Sequence, residues 1–120
     1  MDSAALKATD DYSGANATAP RVSLDDMKSK IAFTHYINAG EASRAISGLT
    51  ERESAPSLEL LTICLVVMRN GFVVIGKSAP ASADNFDAEK GRLFAFEDAI
   101  RQLWPLEGYA LRERLSAEAA

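Results

Sequence analysis

Between Leu58 and Ala79 the chain carries two apolar runs separated by Asn70-Gly71, and this pair limits the fold more than any other feature. Ile63, Leu65, Val66 and Val67 are strand formers, and the run is too short and too branched for a core helix. Asn and Gly both tolerate the positive φ of a type I′ turn. Leu58–Arg69 and Phe72–Ala79 therefore read as a β-hairpin closed by a two-residue turn. Pro80 ends the return strand, because proline cannot donate to the ladder. Such a turn sets Arg69 opposite Phe72, Met68 opposite Val73 and Val66 opposite Ile75. Side chains alternate across a strand. One face then carries Cys64, Val66, Met68, Val73 and Ile75, and the other Ile63, Leu65, Val67, Phe72 and Val74. Both are apolar, whereas a half-buried antiparallel sheet is apolar on one side only. A two-stranded ribbon is marginal alone and leaves both edges unpaired. A following helix can cover one face; the first helix or a second copy of the chain must cover the other. The expectation is a homo-oligomer formed through the hairpin.

The flanking segments supply helices. Residues 1–20 hold almost no large apolar side chains and read as a flexible tail. Ser23 is an N-cap, Asp25 and Asp26 suit a first helical turn, and Leu24, Met27, Ile31 and His35 recur at helical spacing. This predicts an amphipathic helix from Leu24 to Ile37, stopped by Asn38-Ala39-Gly40. Glu41 to Ile46 can form a short helix, and the rest of 41–57 reads as a mobile connector. Asp84 or Asn85 can cap a second long helix from Asp87 to Leu103, with Phe96, Ile100 and Leu103 along one stripe. Trp104-Pro105 should interrupt it. A short helix from Leu106 to Leu115 should follow, then a frayed end over 117–120. The architecture expected is α+β: one domain over 21–116, with the hairpin packed among an N-terminal, a central and a short C-terminal helix.

With 120 residues, one core is the most that the chain can bury. The formal net charge of −4 opposes bulk electrostatic binding to nucleic acid. The single cysteine, Cys64, lies inside an apolar run and reads as a small core hydrophobe compatible with a reducing cytoplasm. The N-terminus does not read as a secretory signal, and Leu60–Met68 is too short to span a bilayer, so no membrane partner is expected.

Side chains able to do chemistry are few. Asp84, Asp87 and Glu89 cluster at a helix start, where capping and dipole compensation explain them better than a metal. His35, the only histidine, has no motif partner and reads as a helix-face residue. Gly71, Gly76 and Gly91 lack the spacing of a phosphate loop; Gly76, inside a strand, permits close approach of another backbone. Phe86, Trp104 and Tyr109 with Arg92, Arg101 and Arg112 could form an aromatic and basic pocket. The simpler reading has Trp104 and Tyr109 fastening the last helix to the core, the arginines solvated and Glu107 in an ion pair. No catalytic residue, metal ligand or cofactor is assigned.

Several runs carry a resemblance: Leu61-Thr62-Ile63-Cys64, Arg69-Asn70-Gly71-Phe72, Asn85-Phe86-Asp87 with Gly91-Arg92, and Trp104-Pro105-Leu106-Glu107-Gly108-Tyr109 with Leu111-Arg112. Over roughly Asp25 to Leu115 the chain resembles the tailed-phage gene-49/gene-66 family (N4 gp49 and Sf6 gene 66). The resemblance implies a phage or prophage origin and expression in the host bacterial cytoplasm, without implying a reaction. Where relatives often carry Ser-Ala-Cys after the second strand, this chain has Ser78-Ala79-Pro80, so chemistry by a cysteine there is not expected. The function expected is that of a small, non-enzymatic accessory protein that binds or sequesters a host component, as anti-defence proteins do. Its ligand would be a host protein or a small nucleotide-like molecule. The candidate ligand-binding residues are Asn85, Phe86 and Arg92 with Trp104, Glu107, Tyr109 and Arg112. The alternatives are a small hydrolase using Asp87, Glu97 or His35, and a nucleic-acid binder using the arginines of 92–114.

Overall fold

The structure is a computed structural model that describes residues 2–48 and 55–120. It is an α+β fold in which a three-stranded antiparallel sheet, β1 (Ile31–Asn38), β2 (Thr62–Met68) and β3 (Val73–Ser78), lies in the order β1-β2-β3. Around it are α1 (Ala4–Gly14), α2 (Leu24–Ser29), α3 (Ala39–Ser47) and the long α4 (Ala88–Ala119). The core sits between one sheet face and α4. Cys64, Val66, Met68 and Val74 meet Ala95, Phe96, Ala99, Ile100 and Leu103, and Leu6, Leu24 and Met27 close the end.

The first helix is shorter than its spacing predicts. Ser23 caps α2 as expected, its hydroxyl accepting from Asp26 N–H. The helix then stops at Ser29, and the rest of the expected Leu24–Ile37 helix is strand β1. Alternating aromatic and branched residues from Ile31 to Ile37 favour a pleated surface, and β2 offers a full row of partners from Met68 to Thr62. The hairpin is therefore the two-strand part of a three-stranded sheet. Asn38, expected to stop a helix, instead caps one: its side chain accepts from Glu41 N–H at the start of α3. Gly48, with φ +69°, ends α3 in the left-handed conformation. The short helix offered by Glu41 to Ile46 is thus α3, and the stretch 49–54 of the expected connector lies outside the described residues. A 3-10 turn over Pro56–Leu60 replaces the first residues of the expected strand.

The hairpin turn differs by one residue from expectation. Gly71 has φ +90°, but Asn70 does not share the positive φ that a type I′ turn demands. Gly71 N–H donates to Met68 O, and Met68 N–H donates to Phe72 O, so the loop holds three residues. Val67 then pairs with Val73, Leu65 with Ile75 and Cys64 with Gly76. Val74 and Gly76, not Val73 and Ile75, share the covered face with Cys64 and Val66.

Two further expectations give way to tertiary contacts. Residues 4–14, placed by the sequence reading in a flexible tail, form α1, with Leu6 buried in the core. Ser3 caps α1 by accepting from Leu6 N–H and also donates its hydroxyl to the buried Glu97 carboxylate. Trp104-Pro105 does not break α4, which runs on through Pro105 to Ala119 in place of a separate Leu106–Leu115 helix and a frayed 117–120. Pro105 removes one rung of the ladder, and the flanking residues are tied down. Trp104 Nε1–H donates to Val22 O, and Lys30 Nζ bonds the Glu107 carboxylate at 2.7 Å. Asp87, rather than Asp84 or Asn85, caps α4, accepting from Glu89 and Lys90 N–H.

Candidate functional site

At the end of the sheet where β1 gives way to α3, side chains from four segments line a cleft of about 210 Å³. Tyr36 and Asn38 come from β1, Glu41 from α3, Thr62 from β2, and Phe86 and Arg92 from the entry to α4. The strand pairs Tyr36↔Cys64 and Asn38↔Thr62 place both β1 side chains on the α4 side of the sheet. Gly91 lets α4 approach, because a Cβ there would press on the Thr62 hydroxyl. Asn38 is already committed: Nδ2 donates to Glu59 O, and Oδ1 caps α3.

Two titratable groups, Tyr36 on the lining and Cys64 bonded to it, are held neutral. Burial pushes the Cys64 thiol up to about 11, against a Tyr36 hydrogen bond that favours the thiolate. Burial likewise raises the Tyr36 phenol to about 12, helped by the neighbouring Cys64, while the Arg92 charge works the other way. A thiol at about 11 is not a nucleophile at neutral pH, and a phenol at about 12 is not a general base. What the cleft offers a ligand is two aromatic rings, an exposed guanidinium and the Glu41 side chain.

The seven sequence-nominated ligand residues do not converge. Phe86 and Arg92 line this cleft, while Asn85 lines a separate depression with Pro80 and Phe94. Trp104 lies about 18 Å farther along α4 than Arg92, and Arg112 about 30 Å farther, at 1.5 Å per residue. Trp104 is half-buried against the core and Glu107 is paired with Lys30, which leaves them structural work. The partner of Glu107 is thus a lysine rather than an arginine. Tyr109, expected to fasten the helix, is 69% exposed. Arg101 and Arg112 are exposed as well.

The remaining groups are dispersed. His35 lies not on a helix face but on β1, exposed, opposite Leu65. Asp87 spends its carboxylate on the α4 cap, and among the described residues no three His, Cys, Asp or Glu side chains gather as metal ligands. A wider groove between α1 and α2, about 620 Å³, is lined by exposed charged residues, including Lys7 paired with Asp11 and Lys28 paired with Asp2. Tyr36 and Asn38 escaped the sequence reading because β1 was read as a helix ending at Ile37, and Thr62, on a strand read as such, carried no signal of its own. Only the pairing of β1 with β2 brings them to Arg92.

Among the described residues no helix is long and apolar enough to cross a membrane. No curated protein and no solved structure matches the chain. The model of the family described as Phage protein (N4 Gp49/phage Sf6 gene 66) matches residues 22–115, from just before α2 to the last turns of α4, and the chain belongs to that family of phage proteins.

Proposed function

We propose that this small phage accessory protein acts by binding a host component rather than by catalysis, in the cytoplasm of the infected cell. The observation that supports this reading is the chemistry of the cleft. Tyr36 and Phe86 offer aromatic faces, Arg92 offers a fixed positive charge, Glu41 is the one acidic side chain of the lining, and the Tyr36 phenol and its neighbouring Cys64 thiol stay protonated at neutral pH. Rings stack on planar bases, and a guanidinium pairs with phosphate oxygens in two parallel hydrogen bonds. The ligand class that suits this set is a small nucleotide-like anion. At about 210 Å³ the cleft admits a base or a phosphate and leaves the rest of the molecule outside. Sequestering such a signal is one form an anti-defence role takes.

Calorimetric titration with mononucleotides and cyclic dinucleotides tests the proposal. Binding by the wild-type chain, weakened about tenfold or more in Arg92→Ala, is the expected result, since one charge-assisted contact is worth about 1.5–3 kcal/mol. No heat from any nucleotide, together with no nucleotide carried through purification, would overturn it.

A further inference from the structure

The sheet face turned away from α4 is a grid of nine side chains. Its rows are Phe33–Val67–Val73, His35–Leu65–Ile75 and Ile37–Ile63–Lys77, one residue from each strand. Seven of the nine are apolar, and His35 and Lys77 occupy edge strands. Phe33, Val73 and Ile75 are each about half exposed. No described element lies over these residues. We propose that this face seats a second copy of the chain, the two sheets stacking into a six-stranded sandwich.

Three observations select that occupant. The first is area. The face offers on the order of 500 Å² of mostly apolar surface, near the upper end of what a monomer leaves open. Two such faces together remove about 1,000 Å², which reaches the lower bound of a specific interface. The second is charge. The chain carries −4 overall, yet the grid holds no carboxylate and one lysine at a corner, so two copies meet here without like charges at the centre. A face that must match itself has to be close to neutral. The third is the state of the sheet edges. Lys77 N–H donates to the Asp98 carboxylate, and Gln102 Nε2–H donates to Ile75 O, so α4 already takes two of the outward groups of β3. On β1 the register shifts by one between Ile31 and Phe33, which interrupts that edge. Edge-to-edge extension of the sheet is hindered on both sides, and stacking through the face is left. The cleft proposed above shares one lining residue, Ile37, with this grid.

Light scattering on the full chain, over a wide concentration range, tests this. The expected mass rises from 12.9 kDa toward twice that value as concentration increases, and the melting temperature rises with it. Leu65→Lys, at the centre of the grid, is expected to run at the single-chain mass with unchanged helical circular dichroism. Phe94→Lys, a more exposed apolar position on α4, is expected to keep the dimer. A wild-type chain that stays at single-chain mass and melts independently of concentration overturns the proposal, whether or not the lysine variant folds. So does a Leu65→Lys chain that still dimerises, or a wild-type chain whose face proves to be held by a host protein in place of a second copy.

Discussion

Gly76 is the residue on which the contact between sheet and helix depends. A Cβ at this position would fall against Ala95 O and within 2.7 Å of Ala99 N, both of them helix backbone that cannot turn aside. Gly76→Ala must push α4 off β3, at a cost of about 3 kcal/mol. Thermal unfolding is expected to show a melting temperature lower by roughly 10–20 °C, and an unchanged transition would contradict this packing. The need for a close approach at Gly76 was legible in the sequence, because glycine inside a strand has few other uses. Which backbone approaches was not legible, since Ala95 and Ala99 are about twenty residues away in the chain. Trp104 was read correctly as a core anchor, with its indole donating to Val22 O. Tyr109, of the same aromatic class and five residues on, points to water, because α4 has by then left the core.

The elements divide by what terminates them. The N-caps at Ser23 and Asn38 and the glycine at Gly48 place helix ends where local chemistry requires them. Between the caps, local pattern was ambiguous. Leu24, Met27, Ile31 and His35 satisfy a helical period, yet Ile31 to Ile37 also alternate, and a neighbouring strand decides the matter. α1 is the opposite case, a segment with little apolar surface that is ordered by Leu6 in the core, Ser3 on Glu97, and Asp10, whose carboxylate accepts from Arg21 and from Leu24 N–H. Replacing Ser3 by Ala removes both a cap and the hydroxyl that satisfies a buried carboxylate. It is expected to lower stability by about 1–3 kcal/mol in chemical denaturation. Hydrogen exchange should show the loss first in residues 4–14. Equal protection of α1 in the variant and the wild type would mean that Leu6 and the Asp10 bonds hold the helix without Ser3.

At the scale of the whole molecule, the buried Cys64–Tyr36 pair makes stability sensitive to alkali. The thiol ionises near 9 when unfolded and near 11 when folded. Below pH 9 both states hold the proton and nothing changes. Above it the unfolded chain loses the proton first, so stability falls as pH rises from about 9 to 11, by roughly 3 kcal/mol for this group. Tyr36, raised to about 12 from 10.0, extends the fall in the same direction. Melting curves across that range are expected to drop steeply for the wild type and less steeply for Cys64→Ala; parallel curves would remove the thiol from the account. Nearly every position in the two apolar runs is greasy, so a slip of one residue changes which side chains share a face but leaves both faces apolar. A hairpin with two apolar sides therefore follows from the amino-acid sequence by itself, whatever the turn. The register, the third strand and the single continuous α4 do not. They depend on a three-residue loop, on hydrogen bonds between β1 and β2 some thirty residues apart, and on ties from Val22 and Lys30 to either side of Pro105. These are long-range contacts whose free energy outweighs local preference only once the chain has folded around them.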